Sequence, residues 1–301
     1  MKFPLIAALL VFCARLFPAN AAPAEIVVAT YNVENYVADE PGNEASPRHA
    51  KAKTEHAIAA VIRVIQDINP DVLGVCEMGS PERFADFKKR LADAGLGYVD
   101  SEYVQAADKD RHLALVSRFP IKERHSITSA GYELGGQPQK VRRGFLDVTV
   151  QVTPDFQLRL VGTHLKSKLA ISEGEAVVRR YEAELLRKHL DEILAADPAV
   201  NLVCYGDFND TKDQPAIQEI AGVRGDAAHM TALPARDEFG DTWTHYWKVA
   251  DLYSRIDFLF VSPALHAEIL ASKTRVYRSP YWNEASDHRP VFTSIVPVNK
   301  P

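Results

Sequence analysis

Apolar residues recur at helical spacing in three stretches of the chain. From Lys51 to Ile68, the positions Ile58, Val61, Ile62, Ile65 and Ile68 share one stripe and the run stops at Asn69 and Pro70, which predicts an amphipathic helix. Ser80 followed by Pro81 has the form of an N-cap with proline at the first helical position. Phe84, Phe87 and Leu91 continue that stripe, and Gly95 lies past its end. Ser172 and Glu175 read as a capping box for a longer helix whose apolar positions are Val178, Tyr181, Leu185, Leu186, Leu190, Ile193 and Leu194.

Between the helices the period drops to two. Leu146, Val148, Val150 and Val152 alternate with Asp147, Thr149 and Gln151; Pro154 and Asp155 then turn the chain into Phe156, Leu158 and Leu160. This predicts a hairpin with one face in the core and one wet. Ile26–Thr30, Val72–Cys76 and Leu202–Gly206 are instead almost wholly apolar, as strands covered on both faces would be. Long helices with both kinds of strand predict stacked sheets with helices outside.

No internal repeat, low-complexity tract or Gly/Ser-rich linker divides the chain, so one domain from Ala24 to residue 301 is expected. A composition of 47% hydrophobic and 25% charged residues supplies an ordinary globular core. Met1 to Ala21 stands apart. Lys2, the apolar run Pro4 to Ala14 and the small residues Ala19, Asn20 and Ala21 form a cleavable signal peptide pattern, too short for a spanning helix, which predicts a secreted or periplasmic protein. Phe12 before Cys13 is too bulky for a lipoprotein site.

Past that leader only Cys76 and Cys204 remain, each inside an apolar strand-like run, and burial as free thiols is expected, with a disulfide left open by the oxidising address. The net charge of −5 gives no global footprint for nucleic acid, although Arg142, Arg143, Lys166 and Lys168 form a local basic group suited to phosphate.

Candidate chemistry gathers at strand ends: Asn32, Glu77, His164, Asp207 with Asn209, Asp257, and the pair Asp287 and His288. Taken singly, each has a plain structural reading as a turn former or a hydrogen-bonded histidine. Together they imply one edge of stacked sheets lined with carboxylates, amides and imidazoles. An oxygen-rich, thiolate-free set suits Mg2+, with Mn2+ or Ca2+ as substitutes. The spacing H-E-x-x-H, paired C-x-x-C, a P-loop and a Gly-rich dinucleotide turn are all absent.

The ordered segments TYNVEN, VCEMG, THLKS, GDFND, SRIDFLFVS and SDHRP resemble the endonuclease/exonuclease/phosphatase superfamily, with its deoxyribonuclease I-like fold. The resemblance implies an α+β, four-layer αββα sandwich of two stacked, mainly antiparallel sheets flanked by helices, with the site at one sheet edge. It implies that Glu77 is the principal metal ligand, helped by Asn32 and Asp287. Asp207 would orient or deprotonate the attacking water beside Asn209. His288 would contact phosphate with Asp257 fixing its tautomer, and His164 would be a second acid-base or phosphate-binding group. Asp110, in DRHLALVSRFP, resembles a carboxylate that supports His164.

The activity implied is in-line hydrolysis of a phosphate ester, most readily a phosphodiester of DNA or RNA, by a monomer without stable membrane insertion. A phosphomonoesterase and a sphingomyelinase-like phospholipid diesterase keep the same centre with another substrate; an inactive binding module is the reading from another class. Trp243, Tyr246, Trp247, Tyr253, Tyr277, Tyr281 and Trp282 precede the Asp257 and Asp287 motifs, either to stack on bases or to pack loops.

Overall fold

The computed structural model describes residues 23–37 and 52–298; the leader sequence lies outside them. The strand β1 (Ile26–Tyr36) is followed by α1 (Glu55–Ile68), β2 (Val72–Met78), α2 (Pro81–Asp93), β3 (Asp100–Val104) and β4 (His112–Ser117). Next come β5 (Ile121–Arg124), the small hairpin β6 (Gly131–Leu134) and β7 (Gln137–Lys140), β8 (Phe145–Thr153), β9 (Phe156–His164), α3 (Glu175–Ala196) and β10 (Leu202–Asp207). The chain closes with α4 (Pro215–Ala221), β11 (Thr231–Ala232), a second hairpin β12 (His245–Trp247) and β13 (Leu252–Ser254), β14 (Asp257–Val261), β15 (Arg275–Val276), α5 (Trp282–Ala285) and β16 (Val291–Ile295).

Two six-stranded sheets result, in the orders β15-β16-β1-β2-β4-β3 and β11-β14-β10-β9-β8-β5. Within them only β1 with β2 and β9 with β10 pair in parallel; the other pairings are antiparallel. Alternation along each strand builds the four expected layers. Val28, Val72 and Leu115 of the first sheet meet Leu146, Leu160, Val203 and Leu259 of the second in a core between the sheets. Their neighbours Ala29, Leu73 and Val116 point outward under Ile58, Ile65 and Phe87 of α1 and α2. Likewise Val161, Cys204 and Phe260 face Leu186, Leu190 and Ile217 of α3 and α4.

Cys76 therefore lies between the sheets and Cys204 on an outer face; both are buried free thiols. Among the described residues, no helix is long and apolar enough to cross a membrane.

Local signals fared unevenly. The first helix starts at Glu55, because the Thr54 side chain accepts the Ala57 amide at 3.2 Å and so sets the cap. Ser80 caps α2 as expected. The capping box at Ser172 does not form: Gly174 is the N-cap residue and Ser172 bonds Glu173 instead. The hairpin's second face is not wet either. Asp147 is fully buried beneath α3, gripped by Arg159 at 2.9 and 2.7 Å and by His189 at 2.8 Å, and Thr149 is buried with it.

Inside the sandwich, Tyr205 crosses from the second sheet to the first. A Cβ at Gly74 would stand 1.9 Å from its ring, and one at Gly162 2.7 Å from it, so these glycines make the room that the tyrosine fills. Gly74→Ala is expected to destabilise the fold by roughly 1–3 kcal/mol, the usual cost of overpacking, and to lower Tm by several degrees. An unchanged Tm would show that the ring packs elsewhere.

Candidate active site

The parallel pairs β1/β2 and β9/β10 bring four strand C-terminal halves to one edge, while β14 and β16 run the other way and bring their beginnings. Asn32, Glu77, His164 and Asp207 thus come from strand C-terminal halves, and Asp257 and the Ser286–His288 turn from strand starts. Asp207 and Asp257 face each other directly in register. The turn is fastened to β1, since Ser286 donates its hydroxyl to the Asn32 carbonyl at 2.8 Å and accepts the His288 amide at 3.0 Å. Arg289, fully buried, anchors it from behind through Asp237 at 2.9 Å and lies 3.6 Å over the Trp243 ring.

Asp207 is the hub. Asn32 donates to its Oδ2 at 3.0 Å, and His164 Nε2 and His288 Nε2 each lie 3.6 Å from the same atom; its Oδ1 accepts the Asn209 amide at 2.8 Å. Burial, reinforced by Asp257, pushes this carboxyl up to about 7 against the opposing pull of His288 and its hydrogen bonds.

The two histidines are driven in opposite directions. Burial opposes charge on His288, but Asp257, whose carboxylate lies 2.9 Å from Nδ1, together with Asp207 and Asp287 outweighs it and holds the ring well above its ordinary value. For His164, burial and then the nearby cations Arg143 and His288 hold the imidazole well below its usual value, so it is neutral at physiological pH. Its Nδ1 is buried without a hydrogen-bond partner among the described residues.

Glu77 accepts the Asn35 amide at 2.8 Å, lies 3.4 Å from the Asn32 side-chain nitrogen and pairs with Arg111 at 3.5 Å. Glu34, Asn35, Glu77 and Asn209 all have positive φ, a conformation that costs energy for a side-chain-bearing residue and that concentrates here at the sheet edge. Asn32 turns its amide N–H groups to the two carboxylates while its oxygen accepts the Glu34 amide at 3.0 Å. In this arrangement it links Glu77 and Asp207. Asn209 likewise spends its side-chain amide on the Leu165 carbonyl at 3.0 Å.

The remaining expected residues lie around this hub. Asp287 is half-exposed at the mouth, 3.9 Å from His288. Asp207 and Glu77 lie 3.6 and 3.9 Å from His164 Nε2, and Asp110 sits on the β3–β4 loop, where its amide bonds Asp108. Asp108 is the buried acid of that loop, 3.0 Å from Arg143 Nε. Arg143 is buried, its Nη1 lacking a hydrogen-bond partner among the described residues, and Arg142 is exposed. Lys166 does not reach out to the mouth: its ammonium donates to the Ser167 and Leu169 carbonyls at 2.7 and 2.8 Å, and burial with Arg143 lowers it to about 8.

Residues without a sequence signal join the site. His245, on the short strand β12, bridges to His288, sets its ring 4.6 Å from that ring at a tilt of 41° and lies 3.7 Å from Asp287. Glu34 and Arg111 flank Glu77. Trp243, Tyr246, Tyr253 and Trp282 pack edge to face and face to face with one another, which fixes the β12–β13 hairpin against α5.

The donor set fits a hard divalent cation. Asp207, Asp257 and His288, and His245, Asp287 and His288, have ligand atoms within 4.8 Å of one another, and Glu77 and Glu34 add carboxylates beside them; burial, with Asp287 nearby, raises Glu34, and burial with Asp257 raises Asp207. Such an excess of negative charge is what a bound cation relieves.

No curated protein sequence matches this one. Among solved structures, sphingomyelinase C from Streptomyces griseocarneus is similar with a TM-score of 0.64 at 16% identity, over 90% of this chain and 99% of that one. The human Nocturnin catalytic domain with bound sulfate gives 0.62 at 17% identity, over 90% and 94%. The 3′ phosphatase NExo from Neisseria, bound to a product DNA hairpin, gives 0.59 at 17%, over 90% and 99%. At such identities the likeness is one of fold, and it agrees with the layers described above. The sequence itself matches the Endonuclease/Exonuclease/phosphatase family from residue 29 to residue 288, a span that takes in every strand-end residue of the site, and the chain therefore belongs to that family of phosphoester hydrolases.

Proposed function

We propose that the protein is an exported, divalent-metal-dependent phosphodiesterase of the nuclease type, in which Asp207 activates water, His288 stabilises charge on phosphate and Glu77 is the main metal ligand. The observation that carries this reading is the convergence of Asn32, His164 and His288 on Asp207 Oδ2, beside Glu77. A carboxyl near 7 is poised to take a proton from water at neutral pH and to return it. Asn32 and the Asn209 amide each hold one of its oxygens, Oδ2 and Oδ1, and Oδ2 is the one that both histidines approach.

His288, kept cationic by Asp257, presents Nε2 on the same side and can donate to a nonbridging or leaving oxygen as negative charge grows there. His164 supplies a neutral ring and adds no charge that would lower Asp207 further. Mg2+ held by Glu77 would supply electrostatic stabilisation of the phosphoryl oxygens. Export rests on the leader sequence alone.

A second substrate reading has its own support. Next to the site, the β12–β13 hairpin exposes Trp247, Val249, Leu252 and Tyr253, with Val249 88% exposed, which suits a phospholipid headgroup diester presented at a bilayer. Exposed Arg142 and Lys168 suit a polynucleotide backbone. Parallel assays with single- and double-stranded DNA, RNA, sphingomyelin vesicles and a nitrophenyl monoester separate these. We expect EDTA-sensitive cleavage, fastest on nucleic acid; dominant release of phosphocholine would replace the nuclease reading, and EDTA-resistant turnover would remove the metal from it.

A further inference from the structure

Lys53 has no part in the chemistry above, yet its side chain is only 4% exposed. Its ammonium donates to the Glu34 carbonyl at 3.0 Å and lies 3.5 Å from Glu34 Oε2. Asp287 and Glu77 are the other acidic groups that act on it, while burial opposes its charge. A lysine so deeply placed persists only against compensating charge, and here that charge belongs to the acids ringing the proposed metal site.

The backbone explains why they meet. Glu34 and Asn35 are both left-handed; the Glu34 amide is tied to Asn32 Oδ1 and the Asn35 amide to Glu77 Oε2. The turn that clasps Glu77 is thus the turn that aims Glu34 at Lys53. On the far side, the Asp287 backbone N–H hydrogen bonds the Glu34 carboxylate, which sets the Asp287 and Glu34 carboxylates beside each other. Glu34 and Asp287 would make a second oxygen-ligand corner beside Glu77, and a fixed cation already stands against it. Repulsion between an ammonium and a divalent ion a few ångströms apart is weakly screened in a partly buried site.

We infer that Lys53 is a built-in counter-ion that fills the Glu34–Asp287 corner and limits the protein to one divalent ion. The inference rests on the metal reading proposed above, so the test counts ions without substrate.

Bound Mn2+ is measured by equilibrium dialysis of the purified protein, with electron paramagnetic resonance of the free ion. One Mn2+ is expected on the wild type and on Lys53→Arg, none of comparable affinity on Glu77→Ala, and two on Lys53→Met, the second lost again in Lys53→Met/Glu34→Gln. Two ions on the wild type, or one on folded Lys53→Met, overturns the inference and leaves the metal reading standing. No binding to the wild type at millimolar Mn2+ overturns the metal reading itself. Circular dichroism checks folding; if Lys53→Met is unfolded, the wild-type count still decides, one ion supporting the inference and two refuting it.

Discussion

Glu77→Ala is expected to lower kcat/KM by about 10²–10⁴ at fixed low Mg2+, the scale of losing several kcal/mol of charge stabilisation, with little change in fold because its side chain faces the cleft rather than the core. Asp207→Asn should cost a similar roughly 10²–10⁴ through loss of the base. The two differ in their metal response. Excess Mn2+ should restore part of Glu77→Ala and none of Asp207→Asn, and equal rescue of both would show that the roles are misassigned.

The pH profile carries the same assignment. Asp207 acts in its deprotonated form, so with a carboxyl near 7 the rate should rise with pH through that region, and the positive charge of a bound divalent ion should move the rise to lower pH. The sign for stability is opposite. The folded protein holds a proton on Asp207 between about 4, the unfolded carboxyl value, and about 7, so this group's contribution to stability declines as pH climbs through that window. Metal binding relieves the penalty, and the Tm gain from Mg2+ should therefore be larger at pH 8 than at pH 5.5. A pH-independent gain would place the ion away from Asp207.

Much of the layer structure and the core of the site was legible in the sequence because both depend on local periods. Ile26–Thr30, Val72–Cys76 and Leu202–Gly206 read as two-sided strands, and parallel pairing then forced Asn32, Glu77 and Asp207 to one edge. What failed to show was nonlocal. Nothing near Asp147 in the chain announces that Arg159 and His189 will cover it, so its alternating face looked wet. His245 sits on a three-residue strand with no apolar run to mark it, and reaches the site only because Tyr246 bonds the Asp287 carbonyl and β12 meets His288. Lys53 falls inside the stretch read as helix and off its apolar stripe, and only the Glu34 turn, distant in sequence, buries it.

The sharpest test of the site as a catalytic unit is the pair Asp257 and His288. The 2.9 Å contact from His288 Nδ1 to Asp257 directs Nε2 at the substrate side and sustains the imidazolium. A purely structural pair of the same geometry is easy to imagine, since buried polar groups are generally partnered. The two differ in how losses combine. In a catalytic unit, Asp257→Asn leaves the ring misoriented and less charged, so the histidine already works poorly; His288→Ala then removes little more. The double variant should cost about as much as His288→Ala alone, with each single change lowering kcat by at least about 10², the lower range for an acid-base group. A structural pair would instead lower Tm while the folded fraction turns over normally, since stranding one buried partner costs roughly 1–3 kcal/mol of stability. Kinetics of the four proteins, each with its melting temperature and assayed well below it, decide the matter. Additive rate losses in the double variant, or full activity in either single one, would mean that Asp257 and His288 do not act on phosphate together.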